Sequence, residues 1–416
     1  MNTTENKKSK KVFLITKLKT TNLGNQALTM ELIKIFEEKI GKENLHVAGR
    51  PLGLVGYNEK ALLASSNPEE LFDKWADAII RKYKKLSKGG AFRAKVGSFS
   101  LDEIKGAAIK VHRLKAIFRP MVRFIRKSSL FNKSYLNRLD VINNSDYVVY
   151  SGAGEIGDYH IFLRQLLELR IAQKLGKKTG GINQSLTVRS DVYKRIVKHV
   201  YGKMDHVVVR GNISKEELVK IGVEAQKVSV FPDTAILTKP KGQRPPSTNT
   251  VGLNLTRDVS FDWEDAEIVV KKLREKNKKI VYITNEPVGD SPISEGFNTR
   301  FGIPSLTASE SYLDYAQKLS QFDFVISTRL HTNVMSLSAG TPVIPIEGKV
   351  FKTRELVDEF KYPVAAVNVN DKQWAAKVAE SIDKVVENKI DFDTFFNNTL
   401  PDVRKRVYGN VNWIIN

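Results

Sequence analysis

Arg329, Leu330 and His331 follow a short apolar run, 324–327, and precede a stretch of small and aliphatic residues, 332–339, that ends in Gly340. A run of that length reads as a buried parallel strand, and the stretch after it as a helix closed by a glycine free to turn left-handed. A guanidinium and an imidazole therefore stand where strand gives way to helix, at the edge of a sheet where open α/β folds bind their ligands. A second apolar run, 341–346, returns to the same edge and is followed by Lys349 and Lys352. Several cations around one titratable ring suit a small anion carrying phosphate and carboxylate, with the histidine placed for proton transfer.

Other strand ends carry polar residues of the same kind. The run 12–18 leads into Asn22, Gly24 and Asn25, a turn whose backbone N–H groups suit an anion or a sugar. The run 146–150 leads into a Gly-rich turn, 151–158, that holds Gly154, Glu155 and Asp158. The runs 178–182, 206–209 and 228–231 end at Gln184 and Ser185, at Arg210, and at Pro232 and Asp233. Asp233 after a proline reads first as a turn or capping residue.

These residues need a scaffold of alternating strands and helices. Helices are expected over 26–40, 159–175, 191–201 and 214–221 in the first half, and over 263–275, 310–320, 332–339 and 372–388 in the second. The Pro- and Gly-containing stretch 241–249 suits neither helix nor strand and reads as a linker. The expected organisation is an N-terminal Rossmann-like α/β domain over 1–240, a C-terminal one over 250–400, and a tail helix over 401–416. That helix offers Val403, Val407, Val411 and Ile414 to a neighbour. The alternation lapses over 67–143, where Asn67, Pro68, Glu69 and Glu70 start one helix and a second, amphipathic one is expected over 101–127.

Bulk properties narrow the partners. The 416 residues are 41% hydrophobic and 27% charged, include no cysteine, and contain no apolar run long enough to span a bilayer. Without cysteine there is no disulfide and no thiolate nucleophile, which fits a reducing cytoplasm. No His, Asp or Glu cluster has metal-ligand spacing, and no cofactor is expected. The net charge of +21 is concentrated: residues 81–133 hold sixteen Lys or Arg against Asp102 and Glu103. Basic amphipathic helices suit the anionic inner face of a membrane. The aromatic residues of the segment fall at core spacing, so nucleic acid is not the expected partner.

Two Rossmann-like domains joined by a linker have the GT-B architecture, and within it the sequence resembles the polysaccharide pyruvyl transferase family. The resemblance runs over residues 11–50 and 145–370 and omits the basic insertion. It is carried by Asn22, Gly24, Asn25, Ala27 and Leu28; by Gly152, Ala153 and Gly154 through Asp158; by Gln184 and Ser185; by Arg210 with Ser214; by Pro232 and Asp233; and above all by Arg329, Leu330 and His331 with Gly340, Thr341 and Pro342. The resemblance implies transfer of a pyruvyl group from phosphoenolpyruvate to two hydroxyls of a sugar, forming a ketal and releasing phosphate. The acceptor it implies is a cell-surface polysaccharide or its lipid-linked precursor. On that reading His331 is the general acid, with Asp158 or Glu155 as base. Arg329, Leu330, Arg210, Lys352 and Lys349 form the donor side, and Asn22, Asn25, Gly154 and Gln184 the acceptor side. Two alternatives remain open at this point. One is a nucleotide-sugar glycosyltransferase on the same fold, with Glu286 or Glu347 binding ribose; the other is a non-catalytic saccharide-binding protein.

Overall fold

The computed structural model describes residues 10–18, 20–49, 59–87, 129–152, 156–242, 244–256, 261–348 and 350–416. The helix expected over 101–127, most of the basic segment 81–133, and Gly154, Glu155 and Lys349 lie outside these residues.

Among the described residues the strands form two all-parallel sheets. The first is built from β1 (Val12–Ile15), β2 (Leu45–Ala48), β3 (Tyr147–Ser151), β4 (Lys178–Gln184), β5 (His206–Val209) and β6 (Val228–Val230), in the order β2-β1-β3-β4-β5-β6. The second uses β7 (Thr250–Asn254), β8 (Lys279–Tyr282), β9 (Phe324–Ser327), β10 (Val343–Glu347) and β11 (Val367–Asn368), in the order β11-β10-β9-β7-β8. Strand order reverses between β1 and β3 in one sheet and between β9 and β7 in the other. Such reversals open a crevice at the carboxyl ends of the strands. The Asn22 turn follows β1 and the Arg329–His331 turn follows β9, so the two crevices carry the residues singled out by their chemistry.

One apolar core joins the domains. Leu28 and Ile33 of the helix Leu23–Ile40, Ile236, Val334 and Met335 of the helix Leu330–Ser338, and Leu356 of the helix Lys352–Phe360 belong to a single buried cluster. Each such side chain contributes about 1.5–3 kcal/mol on full burial. The helix Leu330–Ser338 is buried on nearly every side, and its close approach to the first domain needs a small residue at 338: Ser338 Oγ donates to Ile236 O at 2.8 Å, a contact a longer side chain would prevent. It ends at Gly340, whose φ of 80° is the left-handed turn expected there.

The tail closes the circuit. Val403, Val407, Val411 and Ile414 are buried in the joint core, Asn410 Nδ2 donates to Pro232 O at 3.0 Å, and Trp413 lies edge-on to Tyr147 with ring centroids 5.8 Å apart. The chain thus returns from the second domain to the back of the first sheet. The helix Pro68–Ser87 docks on the first domain through Phe72, Ala76 and Ile80, and Asp73 receives a two-pronged hydrogen bond from Arg170 at 2.7 and 2.9 Å.

Two helices were not expected. Pro287–Phe301 contains Pro292 and two glycines, and Lys352–Phe360 follows directly on the lysines. Both prove central to the site.

Candidate active site between the domains

The helix Leu23–Ile40 starts three residues earlier than expected, because Asn22 caps it: Asn22 Oδ1 accepts from Asn25 N at 3.0 Å. The cap is also an inter-domain contact. Leu23 N donates to Asn285 O at 2.9 Å, and Asn22 Nδ2 donates to Glu286 Oε2 at 3.2 Å. Next to it, Gly24 meets His331 directly: a Cβ on Gly24 would lie 2.1 Å from His331 Cβ. Only glycine permits the first turn of this helix to press against the imidazole.

The helix Leu330–Ser338 starts two residues earlier than its expected beginning, so Arg329 is its N-cap residue, its N–H donating to Ser327 Oγ at 3.0 Å. The Arg329 guanidinium is held by Asp290 at 2.6 Å and Glu286 at 3.3 Å. Both carboxylates come from the region of the unexpected helix Pro287–Phe301. The cation expected to face a ligand is therefore paired within its own domain.

The Arg210 side chain, 5% exposed, leaves the end of β5 and donates from Nη1 to Asp233 Oδ2 at 2.7 Å and from Nε to Ser185 Oγ at 3.1 Å. Its Nη2 is buried and makes no hydrogen bond among the described residues. Asp233 does cap the short turn Thr234–Leu237, accepting from Ala235 N at 2.9 Å with Oδ1. Its other oxygen serves the site, since His331 Nε2 also approaches Oδ2, at 3.4 Å. Burial pushes the Asp233 carboxyl up, but His331 and Arg210 beside it outweigh that and hold it well below the usual carboxylate range. The 3.4 Å separation is an ion-pair approach, and His331 Nε2 is buried without a hydrogen bond among the described residues.

A second carboxylate, absent from the sequence expectations, completes the network. Glu355 reaches across from the helix Lys352–Phe360. Its Oε1 accepts from Ser214 N at 2.5 Å, and its Oε2 accepts from Ser185 Oγ at 3.0 Å and Ser214 Oγ at 3.1 Å. Burial raises its pKa, an effect that the Ser214 N–H and hydroxyl and the nearby Arg210 only partly offset. His331, Asp233, Arg210, Ser185, Glu355 and Ser214 thus form one buried polar chain that crosses from the second domain to the first and back. Arg210, Asp233, Leu330, Lys352, Leu356 and Phe360 line a cleft beside it that encloses about 10 Å³, room for a single water.

Three expected residues stand apart from this cluster. Gln184 faces the core: its amide donates to Tyr150 O at 3.3 Å and accepts from Tyr201 OH at 2.7 Å, so it offers nothing to an acceptor. Asp158 is exposed, and its carboxylate accepts from the backbone N–H groups of Arg189 and Ser190, both at 3.1 Å, which staples the loop before the helix Asp191–Tyr201. Asn25 is buried at the start of its helix. Among the described residues no group of His, Asp and Glu is arranged to hold a metal ion.

Solved structures share this fold over nearly the whole chain. A putative UDP-N-acetylglucosamine 2-epimerase from Listeria monocytogenes is 13% identical, with a TM-score of 0.53 over 97% of this chain and 94% of that one. S. aureus MnaA in a co-structure with UDP is 13% identical, with a TM-score of 0.52 over 97% and 96%. The UDP-N-acetylglucosamine 2-epimerase from Rickettsia bellii is 12% identical, with a TM-score of 0.50 over 98% and 97%. At such identities the likeness is one of fold, the GT-B-like pairing of two Rossmann-like domains. No curated protein matches the chain in sequence. The model of the family described as Polysaccharide pyruvyl transferase matches residues 22–349, a span that begins at the Asn22 cap and takes in Arg210, Asp233, Arg329 and His331. The chain belongs to the polysaccharide pyruvyl transferase family.

Proposed function

We propose that the protein transfers the pyruvyl group of phosphoenolpyruvate to two hydroxyls of a saccharide, forming a ketal and releasing inorganic phosphate. The observation that carries this reading is the buried Arg210, whose Nη2 is left without a hydrogen bond at the joint between the domains, in a cleft shared with Lys352. A buried guanidinium with a donor to spare is a receptor for a phosphate or carboxylate oxygen. Phosphoenolpyruvate carries both groups on three carbons, and a cleft of about 10 Å³ admits it only when the Leu330 and Lys352 wall moves away from Arg210.

The reaction then follows from the chain's own groups. His331, as imidazolium, gives a proton to C3 of the enol, leaving positive character at C2 that a sugar hydroxyl attacks. Asp233, 3.4 Å from Nε2, holds the ring in place. The C2–O bond to phosphate breaks, the second hydroxyl adds at C2, and the protons of the two hydroxyls balance the one delivered to C3 and the one leaving with phosphate. Calorimetry tests the donor. Phosphoenolpyruvate should bind the wild type, and Arg210→Lys should weaken it roughly tenfold, since a point charge replaces a planar fork. Binding of a UDP-sugar in place of phosphoenolpyruvate would falsify the donor assignment.

The acceptor in this reading is lipid-linked, and the basic segment 81–133 brings the enzyme to it. Among the described residues no helix is long and apolar enough to cross a membrane. Sixteen basic residues near an anionic leaflet contribute about 1 kcal/mol each at most. In flotation assays the protein should rise with vesicles containing phosphatidylglycerol and lose them in high salt. Flotation that ignores lipid charge would remove the idea.

A further inference from the structure

A second cleft lies beside the polar chain, between the same two domains. Its walls continue those of the site: Leu186 follows Ser185, Phe351 precedes Lys352, and Arg354 precedes Glu355. At about 320 Å³ it falls in the range of ligand sites, about 300–1,000 Å³, and is far roomier than the donor cleft. Glu347, at the end of β10, lies in its floor and is 5% exposed. Its Oε1 accepts a long hydrogen bond from Asn368 Nδ2 at 3.4 Å. Its Oε2 is buried with no hydrogen bond among the described residues and forms an ion pair with Arg354 Nε at 3.5 Å. A buried carboxylate oxygen without a hydrogen bond costs about 1–3 kcal/mol, more for a charged group, and the exposed Arg354 ion pair at 3.5 Å offsets only part of it, so a hydroxyl donated from the cleft would be stabilising.

The rest of the lining says which kind of donor. Among the described lining residues two arginines, Arg189 and Arg354, are matched by two glutamates, Glu217 and Glu347, a mixed charge suited to a polar neutral ligand. Thr187, Asn368 and Asn370 add neutral donors and acceptors, and Phe351 an apolar ring for the C–H face of a sugar. We propose that this cleft binds the acceptor saccharide, with Glu347 accepting hydrogen bonds from a pair of neighbouring hydroxyls and so selecting which sugar presents them to the donor. The proposal rests on the pyruvyl-transfer reading for the word acceptor. A ribose diol could offer the same hydroxyl pair, so the test has a nucleotide arm.

Saturation-transfer difference NMR on the full chain, with methyl β-galactoside, methyl β-glucoside and N-acetylmannosamine as probes and uridine diphosphate as the second arm, decides it. At least one sugar should give signals in the wild type that fall roughly tenfold in Glu347→Ala, the loss of a charge-assisted pair of hydrogen bonds. Asn370→Trp, at an exposed rim position, should block the cleft without touching the core and give the same loss. Calorimetric phosphoenolpyruvate affinity should stay at the wild-type value in both variants. Sugar signals that persist in both variants, no signal from any sugar, or a uridine diphosphate signal that Glu347→Ala removes would each overturn the proposal. Absence of phosphoenolpyruvate binding by the wild type would count against the donor reading and not against this cleft.

Discussion

His331→Ala should lower kcat for pyruvyl transfer by about 10²–10⁴-fold, the usual contribution of a placed general acid, while leaving phosphoenolpyruvate affinity close to the wild-type value. The structure separates these two effects. His331 touches Asp233 Oδ2 at 3.4 Å, but Arg210 remains bonded to the same oxygen at 2.7 Å, so removing the ring does not strand the buried carboxylate. Binding therefore survives where chemistry fails. A purely structural histidine would behave otherwise, lowering the melting temperature with little change in turnover per folded molecule. Gly24→Ala extends the test without altering any functional group. Its new Cβ would sit 2.1 Å from His331 Cβ, so either the first turn of the helix Leu23–Ile40 or the imidazole must move. A displacement of that size should cost on the order of 10²-fold in kcat. Steady-state phosphate release with an acceptor present measures both variants, and full turnover by His331→Ala would remove it from the mechanism.

The residues of the site that could be read in sequence are those announced by local pattern. Arg329, Leu330 and His331 stand between an apolar run and a small-residue helix, and the structure places them at that junction. Arg210 likewise sits at the end of β5. What the pattern could not supply is partnership. Glu355 meets Ser185 and Ser214 across 170 and 141 residues of chain, and its own nine-residue helix is short enough to pass for a loop despite the spacing of Leu356, Val357 and Phe360. Asp290 was hidden by composition, since a segment with Pro287, Gly289, Pro292 and Gly296 reads as irregular. Tertiary packing overrides that preference: Phe297 stacks on Tyr282 with centroids 5.3 Å apart and lies edge-on to Trp263 at 5.2 Å, which anchors the helix in spite of Pro292. A signal was present in Pro287 at N1 with Asp290 in the first turn, the same start signal that marks Pro68–Ser87. Asp233 shows the converse. Its capping role was legible and correct, while its second oxygen, shared by Arg210 and His331, becomes visible only when the domains are brought together.

Arg210→Ala should destabilise the protein by about 3–5 kcal/mol and abolish phosphoenolpyruvate binding, because it leaves Asp233, 2% exposed, as a buried charge whose best partner is gone. Asp233→Asn should cost a comparable amount by stranding Arg210. The double variant Arg210→Met with Asp233→Leu should recover much of the stability while remaining inactive, since an apolar pair of similar volume carries no desolvation cost. Thermal or urea unfolding of the wild type, Arg210→Met, Asp233→Leu and the double variant gives the coupling energy directly, and additive losses would mean that the pair is not a unit. The pH dependence carries a sign that checks the assignment. Asp233 is held below its ordinary value, so its contribution is complete above the usual carboxylate range and is lost only as pH falls through the lower value in the folded protein. Glu355 is raised by burial, so its contribution is complete in acid, below the value of an unfolded glutamate, and is lost as pH rises through its folded value. The stability gap between wild type and Asp233→Asn should therefore widen from strong acid upward. Glu355→Gln should gain on the wild type over the same rise, because it is spared the cost of ionising in the interface. Opposite trends for two carboxylates one arginine apart would show that the chain from His331 to Ser214 is poised by burial and pairing, with Arg210 as the charge that both acids and the donor share.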